Sequence, residues 1–122
     1  MIKPGAERRD EFAVEGALLT DVAGTLPVKV LSTPGMIERM EQTASRLAGE
    51  ALPEEQATVG FEVCVKHVGA SKEGARCTAI ARLSEVVDGR KLRFDVEVRE
   101  GERTIGVGTH ERRIVDRAGL GG

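Results

Sequence analysis

A chain of 122 residues is the size of one domain and buries about two-thirds of its unfolded surface, so it folds without staples. Its formal net charge of -2 comes from 18 basic and 20 acidic residues mixed along the chain, which leaves no basic stripe for a nucleic-acid backbone. Tyr and Trp are absent and only 3 Phe occur, which removes base-stacking platforms as well. Arg outnumbers Lys, and its planar fork keeps a phosphorylated small molecule open as a ligand.

The opening "MIKPGAERRDEF" puts charges where a signal peptide needs an apolar core, and no apolar run approaches membrane-spanning length. A soluble cytoplasmic protein with no membrane partner is expected. Cys64 and Cys77 form no CxxC pattern and have no His at metal spacing, so reduced thiols, no metal and no cofactor are expected.

In chain order, Phe12 to Thr20 reads as a first strand, and "DVAGTLPVKVLSTP" as a loop punctuated by Gly and Pro. A helix of roughly 34–51 follows, with Thr33 as its cap and Pro34 at the first helical position. Met36, Ile37, Met40, Ala44, Leu47, Ala48 and Ala51 fall in one sector of about 120° and predict the buried face. Glu41 lands at about 140° from Met36 on the same wheel, on the rim of that face.

After the loop "LPEEQATVG" the chain reads as strands. "GFEVCVKHV" alternates Phe61, Val63, Val65 and His67 against Glu62, Cys64 and Lys66. Ala75, Cys77, Ala79, Ala81 and Leu83 share the next apolar face, and Asp88-Gly89 marks a tight hairpin. "KLRFDVEVR" turns Leu92, Phe94, Val96 and Val98 inward, and Glu100-Gly101 offers another turn. The last strand carries Gly106 and Gly108 on one face, where backbone or ligand comes close. The whole is a single α+β domain over 1–122 with a frayed tail at 117–122: an antiparallel sheet around one long central helix. The open edge strand of such a sheet predicts a homodimer, with a tetramer left open. Cys64 and Cys77 fall on opposite faces in this register, so no disulfide joins them.

Three polar side chains stand near the junction of helix and sheet: Thr33, Glu41 and His67. On residues alone each has a plain reading, as a cap, a solvated rim acid and a structural histidine. His110 and Arg112 in "GTHERR" share a strand face opposite Arg113 and read as an exposed polar strand end, with ligand binding as the alternative.

The segments "VLSTPGMIERME", "ATVGFEVCVKHVGAS", "GRKLRF" and "IGVGTHERRIV" together resemble the hotdog-fold thioesterases related to fluoroacetyl-CoA thioesterase, in order and in spacing. The resemblance implies a hotdog fold and hydrolysis of a small acyl-CoA to carboxylate and free CoA. It implies a catalytic trio of Thr33, Glu41 and His67, with Gly60 and Arg112 at the substrate. Glu41 is the expected nucleophile or water activator, His67 the general acid or base, and Thr33 the orienting hydroxyl. Fluoroacetyl-selective members carry aromatic gate residues before the "TP" segment, whereas this chain has no aromatic between Phe12 and Phe61. The competing expectation is a non-catalytic acyl-CoA binding or sensing domain using the same pocket.

Overall fold

Ser32, not Thr33, starts the helix. In the computed structural model, which describes residues 2–120, the Ser32 hydroxyl accepts a hydrogen bond from Gly35 N at 3.0 Å. That satisfies one of the free N–H groups of the first turn. Helix α1 then runs Thr33–Gly49, two residues short of the expected end, and Thr33 becomes its first residue with its hydroxyl free for another partner. A 3₁₀ turn at Gly16–Leu18 crosses this end so closely that a side chain on Gly35 would lie 3.0 Å from Leu18 Cδ2.

The apolar sector read from the sequence is the buried one: Met36, Met40, Ala44, Leu47 and Ala48 are all at most 4% exposed. Each long side chain removed from water in this way contributes about 1.5–3 kcal/mol. Thr43 widens the sector, because the first strand covers that flank of the helix. Its hydroxyl donates to Asp10 Oδ2 at 2.8 Å, and Asp10 is also paired with Arg8 at 3.1 Å and Arg46 at 3.4 Å. Burial works to raise the Asp10 pKa, yet the hydrogen bonds from Arg8 and Thr43 and the two guanidinium charges hold it below the ordinary carboxylate value.

Strand β1 is Glu7–Ala13, earlier than Phe12 to Thr20. Gly16 at φ 58° breaks the extended run after Ala13, and the remainder forms only a short β2, Leu19–Thr20, paired with β3, Val30–Leu31. The long strands follow as β4, Gln56–His67, β5, Arg76–Val87, β6, Lys91–Glu100, and β7, Arg103–Asp116. They form one antiparallel sheet in the order β1-β5-β6-β7-β4. The chain closes with a helical turn, α2, Arg117–Leu120, tied down by Arg117 N donating to Glu55 O at 2.9 Å. The last two residues of the expected frayed tail lie outside the described ones.

Asp88 and Gly89 both adopt left-handed backbone, φ 56° and 64°, with Arg90 N bonded to Val87 O at 3.1 Å. That is the primed hairpin turn whose twist suits the flanking strands. The inward faces of β5 and β6 are as read: Cys77, Ala79, Ala81, Leu83, Leu92, Phe94, Val96 and Val98 are buried. Small Ala and Cys on β5 leave room for the helix, and Leu and Phe on β6 fill the space beyond it.

Strand β4 departs from the expected alternation. Its register against β7 shifts between Gly60 and Glu62, a bulge that leaves Phe61 as the extra residue. Phe61 is therefore 57% exposed instead of inward, with the Arg113 guanidinium stacked over its ring at 3.6 Å. Val63, Val65 and His67 keep the inward, half-buried alternation. Among the described residues strand β4 pairs only with β7, so its other edge is open there.

Gly106 pairs with His67 across β4 and β7 and lets the helix touch the sheet. A Cβ there would overlap Met36 Sδ and stand 2.8 Å from Met36 Cε and 3.1 Å from Met40 Cε. Met36 is enclosed and has little room to yield, so Gly106→Ala should destabilise the fold by about 1–3 kcal/mol, measured by urea unfolding. Cys64 is exposed, whereas Cys77 is buried with its Sγ 3.3 Å from Ser71 Oγ and its thiol pKa raised chiefly by burial. Reaction with Ellman's reagent should therefore release one equivalent quickly and the second only on unfolding.

Candidate functional site

The polar residues singled out in the sequence fall into two groups. The first lies at the N-terminal end of α1. Thr33 Oγ1 and His67 Nδ1 are 2.8 Å apart, brought together because the Met36–Gly106 contact seats the first helical turn directly over the end of β4 that holds His67. The other ring nitrogen, Nε2, is buried and has no hydrogen-bond partner among the described residues. Burial pushes the His67 pKa below its ordinary value, with the Gly69 backbone pulling the other way, so the ring is neutral at neutral pH. A neutral imidazole with one nitrogen fixed by a hydroxyl and the other unused is equipped to move a proton.

The second group lies further along the helix and at the other half of β4. Glu41 stands on the rim of α1, as the helical wheel predicts, with its side chain 38% exposed. Its Oε2 is 3.8 Å from Arg112 Nη1, and a Cβ on Gly60 would come within 2.9 Å of the same oxygen. Only a bare backbone at position 60 lets the carboxylate approach β4 so closely. These side chains border an open cleft of about 390 Å³ lined by Glu38, Glu41, Gln42, Ser45, Arg46 and Arg112.

His110 and Arg112 do not form an exposed strand end. Both are buried, at 2% and 8% exposed, because β7 lies between β6 and β4 and this face turns toward the helix. Arg112 donates from Nε to Thr58 Oγ1 at 2.8 Å and from Nη2 to Thr58 O at 3.1 Å. His110 Nδ1 lies 2.8 Å from Glu62 O. Burial, the largest influence, lowers the pKa of both groups; for His110 the Arg112 charge adds to it, while the Glu62 carbonyl and Glu41 oppose it. Thr58 is a member of this cluster that the sequence reading passes over, and His110 is one that it names but reads as an exposed strand end. The signal was the alternation of β7, which puts His110 and Arg112 on one face, but nothing local tells which face of that strand turns toward the helix.

The trio of Thr33, Glu41 and His67 thus does not converge within one chain. Thr33 and Glu41 are eight positions apart on a regular helix, a rise of about 12 Å. Gly60 and His67 are separated along β4 by about 20 Å at the usual strand rise. Thr33 meets His67, and Glu41 meets Gly60 and Arg112, as two half-sites.

One long helix wrapped by an antiparallel sheet is the hotdog architecture. The model of the fluoroacetyl-CoA-specific thioesterase family matches residues 14–118. A fluoroacetyl-CoA thioesterase of Streptantibioticus cattleyicolor is 33% identical over 87 residues, 71% of this chain and 62% of that protein. Among solved structures, the fluoroacetyl-CoA thioesterase FlK superposes with a TM-score of 0.87 at 26% identity, covering 99% of this chain and 93% of FlK. A Thermus thermophilus thioesterase superfamily member does so with a TM-score of 0.87 at 26% identity, covering 99% and 89%. The chain belongs to the fluoroacetyl-CoA-specific thioesterase family. Among the described residues no helix is long and apolar enough to cross a membrane.

Both histidines have folded pKa values below the ordinary 6.5. As pH falls beneath 6.5 the unfolded chain takes up protons first, so stability present above that value is lost down to the lowered folded values. Melting temperature should accordingly fall between pH 7.5 and 5.5, with a shallower fall in His110→Gln, followed by circular dichroism.

Proposed function

We propose that the chain hydrolyses a small acyl-CoA thioester to a carboxylate and free CoA, and that it does so as a homodimer whose active sites are shared between subunits. What supports this reading is the pair formed by Thr33 and His67, whose buried Nε2 is left without a partner on the chain's own side. A buried polar atom in that condition is uncommon enough to mark a working group, and the residues it would work with are assigned to a partner subunit.

The partner comes from the symmetry of β4. Its free edge carries unpaired N–H and C=O groups and the exposed Val59 and Phe61, which a second copy of the strand covers. Antiparallel pairing of two β4 strands about a two-fold axis near Val63 and Cys64 sets His67 opposite the partner subunit's Gly60. Thr33 and His67 of one subunit then face the partner subunit's Glu41 and the partner subunit's Arg112 across the cleft.

In that assembly Glu41 attacks the thioester carbonyl or takes a proton from the water that does. His67 takes up a proton from water and passes it to the departing CoA sulfur as the carbon–sulfur bond breaks, and Thr33 holds its ring. The backbone at Gly60 lets the thioester come close, and Arg112 steadies the carboxylate while donating toward charge that develops on the carbonyl oxygen. Where Glu41 attacks directly, water then opens the mixed anhydride and frees the carboxylate, so in either route one water adds its oxygen to the acyl carbon and its protons end on the products. The acyl group is small, since Met36, Ile37 and Met40 occupy the helix end where a long tunnel would run. With no aromatic residue between Phe12 and Phe61, selectivity for a fluoroacetyl group is not part of the proposal. No metal or cofactor enters it.

Free-thiol release from acyl-CoAs, from acetyl to phenylacetyl and medium chains, tests the activity. Glu41→Gln and His67→Ala should each reduce kcat by at least about 100-fold. Turnover that survives Glu41→Gln would remove that residue from the chemistry, and CoA esters bound without turnover would favour a sensing domain. Mixing the two inactive variants after unfolding and refolding should restore roughly a quarter of wild-type activity if each site takes one group from each subunit. A site contained in one subunit would stay silent in every mixture.

A further inference from the structure

The chain has 2 histidines, and the chemistry above uses only His67. The other, His110, is 2% exposed in a layer that an apolar side chain would fill at less cost. Both of its ring nitrogens are engaged. Nδ1 lies 2.8 Å from Glu62 O, and since a carbonyl only accepts, Nδ1 carries the proton. Nε2 is then a lone pair, and Arg112 Nη1 donates to it at 3.2 Å. The ring stacks on Phe94 with centroids 6.2 Å and planes 28° apart, which restricts its rotation.

Arg112 has five N–H groups. Nε and Nη2 are committed to Thr58 at 2.8 Å and 3.1 Å. Nη1 is shared between His110 Nε2 at 3.2 Å and Glu41 Oε2 at 3.8 Å. Fixing one hydrogen of Nη1 on His110 aims the other toward the carboxylate, because the guanidinium is planar. We propose that His110 is a positioning residue: in its neutral, Nδ1-protonated form it acts with Thr58 to hold Arg112 so that Nη1 faces Glu41. The functional part of this inference rests on the reading of Glu41 as the reactive carboxylate.

Protonating His110 removes the acceptor and sets two N–H donors, both cationic, against each other. Arg112 must then turn away, and Glu41 loses its fixed neighbour. The charged groups facing the ring are Arg112 on its own strand and Glu41 from α1. Glu62 on β4 contributes its main-chain carbonyl, and β6 presents Phe94. Arg93 and Glu111 border the same region from the outer side, where they bind each other at 3.1 Å. The device is therefore sensitive to acid on the His110 side alone, independently of His67.

The test uses the full chain labelled with ¹⁵N-histidine, the two rings being told apart with His110→Gln. Long-range ¹H–¹⁵N spectra at pH 7 should show His110 protonated at Nδ1 and bare at Nε2. Protonation at Nε2, or a charged ring at that pH, overturns the proposal whatever the enzyme's activity. In kinetics, His110→Leu should lower kcat by about tenfold or more, as expected for a buried donor left unpaired, with KM little changed. His110→Gln offers a carbonyl to Arg112 and an amide to Glu62, so it should recover most of that loss and remove one acid ionisation from the kcat profile. A folded Leu variant with wild-type kcat and pH profile, or a Gln variant that keeps the full acid limb, overturns it as well. Absence of turnover in the wild type would strike at the Glu41 reading alone, and the spectra would still decide the state of His110.

Discussion

The thioether of Met36 rests on the bare backbone of Gly106, and the rest of the structure is arranged around that contact. Because Gly106 is the register partner of His67, whatever fixes the helix on Gly106 also fixes the first helical turn over His67. A side chain at 106 would lift the helix end and carry Thr33 away from the imidazole. The same seat sets the azimuth of α1, so that Glu41, just over two turns on from Thr33, emerges beside Gly60. Two glycines on neighbouring strands thus locate two polar clusters, one through a thioether and the other through a carboxylate.

Much of this was legible in the sequence, and the reasons are particular. The helical wheel found Met36, Met40, Ala44, Leu47 and Ala48 because burial on one helix face obeys a fixed period. It also put Glu41 on the rim, where the structure has it. The alternation of β5 and β6 was legible for the same reason, being anchored by a turn that needs Asp88-Gly89. What the sequence could not supply was contact between elements. Thr43 is polar by residue type, and its burial follows from Asp10, which lies 33 positions away. Ser32 and Thr33 are chemically near-equivalent as caps, and Ser32, whose N–H is tied to Leu18 O at 2.8 Å, is the one that takes the role. His110 and Arg112 looked like a solvated strand end because nothing local distinguishes an inner from an outer polar face.

The two histidines show how one residue type is put to opposite uses by its surroundings. Both are desolvated and held neutral. His67 has one nitrogen satisfied and one without a partner among the described residues, a condition that buried groups rarely keep. His110 has both nitrogens satisfied and a guanidinium as its neighbour, so it is spent on structure within the site. Arg112 resembles it in this respect: buried cations need several acceptors, and Thr58, His110 and Glu41 supply them.

The bulge in β4 has a consequence for parity. Strict alternation along a strand places residues an odd number apart on opposite faces, and Gly60 and His67 are seven apart. An unbroken strand would present one of them to the helix and the other to solvent, and no rotation of the strand would cure it. The single extra residue at Phe61 changes the phase midway, so that an even-numbered half and an odd-numbered half both look inward. Deleting one residue there would leave composition and length almost untouched while turning one half of the strand inside out.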